Sequence, residues 1–176
     1  MNEEVTVATA ADMRALGRRL AAVLRAGDVV IMSGPLGAGK TMLTKGIGEG
    51  LGVRGPVTSP TFVIARVHPP LAAAAGAARA AGRGPALVHA DAYRLGSTLE
   101  LDDLDLDTDA ATSVTVVEWG EGLAEGLAAD RLEITIAPGP ADALLAADGG
   151  DSPRTVRITG TGERWQDIEL PPRGPR

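Results

Sequence analysis

The fold is decided by residues 29–52, VVIMSGPLGAGKTMLTKGIGEGLG. Val29 to Met32 form a short continuous apolar run, which is typical of a strand buried on both faces of a sheet. A glycine-rich loop follows, and the next residues predict a helix of about ten residues that ends near Gly50 to Gly52. A strand, a glycine-rich loop and a helix in this order indicate an α/β protein.

The loop itself, GPLGAGKT at residues 34–41, matches the pattern G-x-x-x-x-G-K-[ST] of a phosphate-binding loop. Its glycines allow successive backbone N–H groups to point inward around phosphates, and the helix N-terminus adds partial positive charge. We expect Lys40 to reach the β- and γ-phosphates of a nucleotide and Thr41 to offer its hydroxyl to Mg²⁺. A plain glycine-rich turn with a surface lysine is the alternative, which the preceding strand and following helix disfavour. The nucleotide contacts are assigned to Leu36, Gly37, Ala38, Gly39, Lys40, Thr41 and Met42.

Two carboxylates follow apolar runs that read as buried strands. Asp91 comes after LVHA and Glu118 comes after VTVV. Ligand chemistry in an open α/β sheet gathers at the carboxyl ends of the strands, and a P-loop enzyme needs an acid near its Mg²⁺. Either residue alone could be a capping residue, but the two together with the loop predict a catalytic pair. The sequence leaves open which of them contacts the metal directly.

Residues 57–62, VTSPTF, lie between the loop helix and the next predicted strand. P-loop proteins commonly carry a switch segment at this place. Thr61 is therefore either a residue that senses a γ-phosphate or orients water, or part of an ordinary turn into a strand. The spacing supports both interpretations equally.

Length and composition exclude several classes of protein. The 176 residues suit one domain, placed at residues 1–168, with a tail at 169–176 that we expect to be disordered. The chain has no cysteine and two histidines, which excludes disulfides and cysteine-bound metals and argues against a multi-histidine site. No apolar run reaches the roughly 18 residues of a membrane helix, and the acidic N-terminus does not suit a signal peptide. We therefore expect a cytoplasmic protein.

Charge is spread unevenly along the chain. The net charge is −6, which disfavours strong independent binding to nucleic acid. Residues 95–151 contain 14 acidic residues and one basic residue, so this segment carries −13. A solvated surface is one interpretation of the acidic segment, and a docking surface for a basic partner is the other.

Periodicity predicts the remaining elements. A helix capped by Thr9 should carry an apolar face on Met13, Leu16 and Leu20. His68 is expected at the surface end of a strand. Together the patterns predict a three-layer α/β sandwich of the P-loop NTPase type, with a mostly parallel central sheet and a possible antiparallel C-terminal strand pair. The further strands are predicted at residues 61–67, 87–91, 114–117, 132–136 and 155–158, and loops at 69–86, an Ala/Gly-rich insertion, and 137–153.

Four motifs in this order, GPLGAGKT, VTSPTF, HADAYRL and VVEWGE, resemble the bacterial TsaE (YjeE) family. The resemblance runs from about Val5 to Trp165 and is interrupted mainly by the insertion at 69–86. The loop motif alone is shared by a very large superfamily, whereas the combination is much more specific. The resemblance implies a P-loop ATPase of the tRNA threonylcarbamoyladenosine pathway that binds ATP and Mg²⁺. It also implies TsaB and TsaD proteins as partners, with tRNA contacted only through their complex.

The resemblance assigns roles to individual residues. It implies that Lys40 and Thr41 bind phosphate and Mg²⁺ and that Glu118 completes the Mg²⁺ site. Asp91 would be the Walker-B-like acid near the metal or the water, and Thr61 would be the switch residue.

The same resemblance places other residues around the nucleotide. Trp119 would lie beside the site, Arg154 would pair with the nucleotide, and the backbone of Thr9 and Ala10 would approach the adenine. His89 matches the family motif, with packing or a local hydrogen bond as its expected role.

Two other functions share the loop motif. A small-molecule P-loop kinase needs an arginine-bearing lid, and the single candidate is the insertion at 69–86 with Arg79 and Arg83. A non-catalytic nucleotide-dependent binding module would not need the pair Asp91 and Glu118. Phosphate release without an added acceptor separates an ATPase from a kinase, and capture of partners with ATP but no turnover would favour the binding module.

Overall fold

A single seven-stranded sheet organises the chain, with strand order β1-β7-β6-β2-β5-β4-β3. The structure is a computed structural model that describes residues 1–60, 64–71, 84–95, 97–102, 110–139 and 153–173. The strands are β1 (Asn2–Val7), β2 (Val29–Ser33), β3 (Ala65–His68), β4 (Ala86–Asp91), β5 (Ser113–Glu118), β6 (Arg131–Pro138) and β7 (Arg154–Thr161). The α-helices are α1 (Ala10–Ala21), α2 (Lys40–Leu51) and α3 (Thr98–Asp102), and 3-10 turns cover Ala110–Thr112, Glu125–Leu127 and Glu163–Trp165.

The centre of the sheet is parallel and its edges are antiparallel. β2 pairs in parallel with β5 and β6, and β4 pairs in parallel with β5. β3 lies antiparallel to β4 at one edge, while β7 and β1 extend the other edge antiparallel to β6. The predicted α/β class, the mostly parallel central sheet and the antiparallel C-terminal pair are confirmed. This order places β2, which leads into the glycine-rich loop, directly beside the strand that ends at Glu118.

Both faces of the sheet are covered. Every residue of β2 is buried, as its continuous apolar sequence predicts. On one face, Val30 and Met32 join a core cluster with the apolar residues of α1 and α2. On the other face, Val29 and Ile31 pack in a smaller cluster that includes Leu101 of α3. The helices α1 and α2 therefore cover the face with the larger core cluster, and the loop leads from β2 into α2 on that face.

Close approach of α1 and α2 depends on two glycines. A Cβ added to Gly46 would overlap the carbonyl oxygen of Arg14, and one added to Gly17 would overlap that of Leu43. Because these two residues have no Cβ, the two helix backbones can touch.

At the start of α1, the Thr9 hydroxyl accepts a hydrogen bond of 3.0 Å from the N–H of Asp12, so the predicted cap is confirmed.

The region after α2 differs from the sequence prediction. A strand was predicted at residues 61–67, but β3 begins at Ala65 because Ile64 has a φ of 68°, in the left-handed region that a strand cannot use. His68 was expected at the surface, and that was wrong because its side chain is 4% exposed. Residues 61–63, including Thr61, lie outside the described residues.

The two ends of the chain are packed together. The sequence prediction did not include β1, which pairs along its whole length with β7. The tail after Glu169 was expected to be disordered, yet Leu170 is buried and Arg19 donates a hydrogen bond of 2.7 Å to the carbonyl of Pro171. Arg173 likewise donates to the carbonyl of Thr6 at 2.9 Å. Contacts with α1 and β1 thus extend to Arg173.

Parts of three predicted segments lie outside the described residues: 72–83 of the Ala/Gly-rich insertion, 103–109 of the acidic segment and 140–152 of the late loop. Within the ranges that the structure describes, no helix is long and apolar enough to cross a membrane.

The glycine contact between α1 and α2 yields a prediction about stability. We expect Gly46→Ala to lower the free energy of unfolding by about 1–3 kcal/mol, because the added methyl group meets backbone that cannot move aside. Gly126→Ala is the matched control, since a Cβ there has no atom within 4 Å. Urea unfolding measures both variants. Equal stability of Gly46→Ala and wild type would show that the helices can separate at no cost.

Candidate nucleotide-binding site

The glycine-rich loop connects β2 to α2 and forms one wall of a cleft of about 270 Å³. Gly34 has a φ of 136°, and a Cβ on it would overlap the carbonyl oxygen of Ile136 on β6. Gly39 caps α2 with a φ of 111°. Both positions require glycine because L-residues with side chains rarely adopt these angles. The cleft is lined by Leu36, Gly37, Ala38, Gly39, Lys40, Thr41, Met42, Ser59, Asp91, Glu118 and Trp119.

Lys40 is buried at the floor of this cleft. Its ammonium group donates hydrogen bonds to the carbonyls of Gly34 at 2.7 Å and Pro35 at 3.1 Å, and it lies 3.5 Å from the centre of the Trp119 ring. Burial lowers the pKa of Lys40, while the nearby carboxylates of Glu118 and Asp91 raise it in part. The loop therefore holds a partly desolvated cation at the lining of the cleft.

Glu118 connects the end of β5 to the start of α2. Its Oε2 accepts a hydrogen bond of 3.2 Å from the hydroxyl of Thr41, and the residue is 3% exposed. A carboxylate beside a threonine hydroxyl is a hard oxygen pair of the kind that Mg²⁺ prefers. Among the described residues, no group of three or more histidine, aspartate or glutamate side chains could hold a metal ion. Phosphate oxygens and water are the further ligands that Mg²⁺ usually takes beside one or two protein oxygens.

Asp91 is the neighbour of Glu118 across the β4–β5 pair. Both side chains project toward α2, because they share the alternation of Leu87 and Val116, which belong to the core cluster on that face. The Oδ1 of Asp91 accepts a hydrogen bond of 3.0 Å from the N–H of Tyr93. The two predicted carboxylates thus lie side by side, and Glu118 accepts a hydrogen bond from Thr41.

Trp119 turns the chain directly after β5. Its φ of 61° is unusual for a residue with a side chain, and its N–H donates to the carbonyl of Met32 at 2.8 Å. This turn holds the indole ring over Lys40 and 4.9 Å from the ring of Tyr93. Tyr93 and Ser59 belong to this region, although the sequence patterns predicted no role for them. Tyr93 could have been found from the HADAYRL motif and Ser59 from VTSPTF.

The residues assigned to the nucleoside are Thr9, Ala10 and Arg154. They lie at the same end of the sheet as the loop, but they are not among the residues that line the cleft. Arg154 begins β7 and pairs with Val7 at the end of β1, just before Thr9 and Ala10. Pro138, at the end of β6, also pairs with Arg154. Since β6 runs parallel to β2, Arg154 and its neighbours lie at the carboxyl end of these strands, where the loop begins.

Comparison with known proteins agrees with this geometry. A family model described as threonylcarbamoyl adenosine biosynthesis protein TsaE matches residues 7–143. The chain belongs to the TsaE family. The resemblance seen in the sequence is thereby confirmed, and so is membership of a family that takes part in tRNA threonylcarbamoyladenosine biosynthesis.

Two curated relatives and one solved structure show how far the similarity extends. The Streptomyces coelicolor tRNA threonylcarbamoyladenosine biosynthesis protein TsaE is 58% identical over 159 residues, which cover 90% of this chain and 97% of the relative. The Bacillus subtilis protein of the same name is 35% identical, covering 88% of this chain and 84% of its own. The crystal structure of Bacillus subtilis YdiB superposes with a TM-score of 0.67 at 28% identity, covering 94% of this chain and 90% of that one.

The burial of Lys40 predicts a conflict between stability and function. A lowered pKa means that folding disfavours the charged lysine, and this penalty is present at every pH below the folded-state pKa and disappears above the unfolded-state pKa. We expect Lys40→Met to unfold at pH 7 at a temperature equal to or above that of wild type. Lys45→Met, on the same helix and half-buried, is the control. A fall of several degrees for Lys40→Met alone would show that the carbonyl bonds of Lys40 outweigh its desolvation.

Proposed function

We propose that this TsaE-family chain binds ATP with Mg²⁺ and hydrolyses the ATP in support of tRNA threonylcarbamoyladenosine modification by TsaB-like and TsaD-like proteins in the cytoplasm. The observation that carries the proposal is the convergence of Lys40, Thr41 and Glu118 at one cleft. Strand, loop and helix present all three at the edge of the sheet where α/β proteins bind nucleotides.

The loop would bind the phosphates through backbone N–H groups and the N-terminus of α2. Lys40 would exchange its bonds to the carbonyls of Gly34 and Pro35 for bonds to phosphate oxygens. Charge-assisted bonds to phosphate are stronger than bonds to a neutral carbonyl, so this exchange favours binding. The Trp119 ring limits where the ammonium group can move, which keeps it directed into the cleft.

Thr41 and Glu118 would hold the metal ion through the hydroxyl and through Oε2. When bound, Mg²⁺ neutralises charge on the phosphates. Asp91, one strand away in register, is the candidate for orienting the attacking water. Thr61 remains the proposed switch residue, and Ser59 of the same segment borders the cleft. Arg154, Thr9 and Ala10 remain the proposed contacts to the nucleoside.

Family membership supports the proposed partnership with TsaB-like and TsaD-like proteins. The net charge of −6 gives little support for tight binding of tRNA by this chain alone. The proposal therefore assigns tRNA contact to the complex and assigns ATP turnover to this chain.

Phosphate release tests the proposed activity. We expect the chain, mixed with the TsaB and TsaD proteins of its own organism, to release phosphate from ATP without any added acceptor. Lys40→Ala should reduce the rate by about 100-fold or more, since removal of one preorganised charge donor costs at least that much. Lys45→Ala is the control and should retain activity. Phosphate release at the wild-type rate by Lys40→Ala would reject the site, and release only with an added acceptor would identify a kinase.

Metal affinity tests the role of Glu118 separately from turnover. We expect Glu118→Gln to weaken Mg²⁺ binding to the ADP complex by about tenfold or more, because even residues that only support a metal ligand contribute 10–100-fold. Isothermal titration calorimetry measures this affinity, with Asp91→Asn studied in parallel. Unchanged affinity in Glu118→Gln together with a loss in Asp91→Asn would transfer the ligand role to Asp91.

A further inference from the structure

His89 is buried between the sheet and α2, one strand away from Glu118. Its side chain is 0% exposed, and its Nε2 lies 2.8 Å from Oε1 of Glu118. In the β4–β5 register His89 pairs with Val116, two residues before Glu118, so both side chains project to the same face. Since a carboxylate accepts hydrogen bonds, His89 Nε2–H is the donor in this contact.

The two oxygens of Glu118 have different partners. Oε2 accepts from Thr41 at the cleft, whereas Oε1 faces the interior. The hydroxyl of Thr44 lies 3.5 Å from Oε1 but 3.0 Å from the carbonyl oxygen of Lys40. A hydroxyl has one proton to donate, and the shorter contact takes it. His89 is therefore the principal donor to Oε1 among the described residues.

A merely structural role does not explain a histidine at this position. Nδ1 of His89 is buried and has no hydrogen-bond partner among the described residues. A buried polar atom without a partner disfavours folding, so an apolar side chain would fit this part of the core better. Unlike an apolar side chain, the imidazole can donate a hydrogen bond to Glu118 at this position.

We propose that His89 is a positioning residue for Glu118. It fixes Oε1 in the interior so that Oε2 stays directed toward Thr41 and the metal ion. This inference rests on the proposed function. It extends that function by naming the group that orients the carboxylate before the ion arrives, which is how supporting residues raise metal affinity.

Two substitutions of His89 separate positioning from packing. In His89→Leu the donor is lost and the volume is nearly kept, whereas in His89→Gln the amide nitrogen can occupy the place of Nε2. His68→Leu is the matched control, because His68 is also buried on the neighbouring strand and its Nε2 has no hydrogen-bond partner among the described residues. Titration of MgCl₂ into the ADP complex by calorimetry gives the affinity of each variant.

We expect His89→Leu to weaken Mg²⁺ binding by about 10-fold or more, in the range found for residues that orient metal ligands. His89→Gln should recover most of that loss, and His68→Leu should bind as wild type does. Urea unfolding should show that His89→Leu still unfolds in one cooperative transition, with some loss of stability because Oε1 of Glu118 is left buried without its donor. Wild-type Mg²⁺ affinity in His89→Leu, or equal losses in the two leucine variants, would overturn the proposal.

A second measurement needs neither nucleotide nor turnover. With only two histidines in the chain, imidazole nitrogen and proton NMR signals of the nucleotide-free protein can be assigned from the variants. We expect Glu118→Gln to shift the His89 Nε2–H signal and to leave the His68 signals in place. An unmoved His89 signal overturns the inference even if ATP is hydrolysed. A shifted signal in a protein that releases no phosphate overturns the proposed function while keeping the contact.

Discussion

The parallel pairing of β2 with β5 is the constraint on which the rest of the site depends. Met32 pairs with Glu118, so the carboxylate lies beside the strand that leads into the glycine-rich loop. The same pairing lets the N–H of Trp119 bond to the carbonyl of Met32 and places the indole over Lys40. A shift of one residue would turn Glu118 to the opposite face of the sheet. Every residue of both strands is buried, so a slipped pairing would require the core to repack on both faces of the sheet.

Burial of the charged groups of the cleft lowers the local stability of the fold. One buried ammonium group and two buried carboxylates occupy the same end of the sheet. Burial lowers the pKa of Lys40 despite the attraction of both acids, so desolvation outweighs their charge in the folded chain. The surrounding helices and strands hold these groups in place, and α1 and α2 are themselves in direct backbone contact at Gly17 and Gly46.

The sequence was sufficient to predict those elements whose pattern lies in consecutive residues. The loop and its flanking strand and helix could be predicted because each is written in consecutive residues, and so could Asp91 and Glu118, which end apolar runs. The edge strand β1 was missed because it contains Glu3 and Glu4 and most of its residues are at least partly exposed. Such a sequence resembles a polar terminal segment. Its existence depends on pairing with β7, more than 140 residues away. The left-handed Ile64 could not be foreseen either, since β-branched residues rarely adopt that conformation.

The two carboxylates show what register adds to a motif. The motifs alone make Asp91 and Glu118 equivalent, because each ends a strand. In the structure they are paired directly, yet the longer side chain of Glu118 meets Thr41, while Asp91 accepts the N–H of Tyr93 two residues later. That bond forms a tight local turn of the kind aspartate favours, and the ring of Tyr93 in this turn lies 4.9 Å from the ring of Trp119. Residues at equal positions on neighbouring strands therefore make different contacts, Glu118 with Thr41 of the loop and Asp91 with the turn that follows β4.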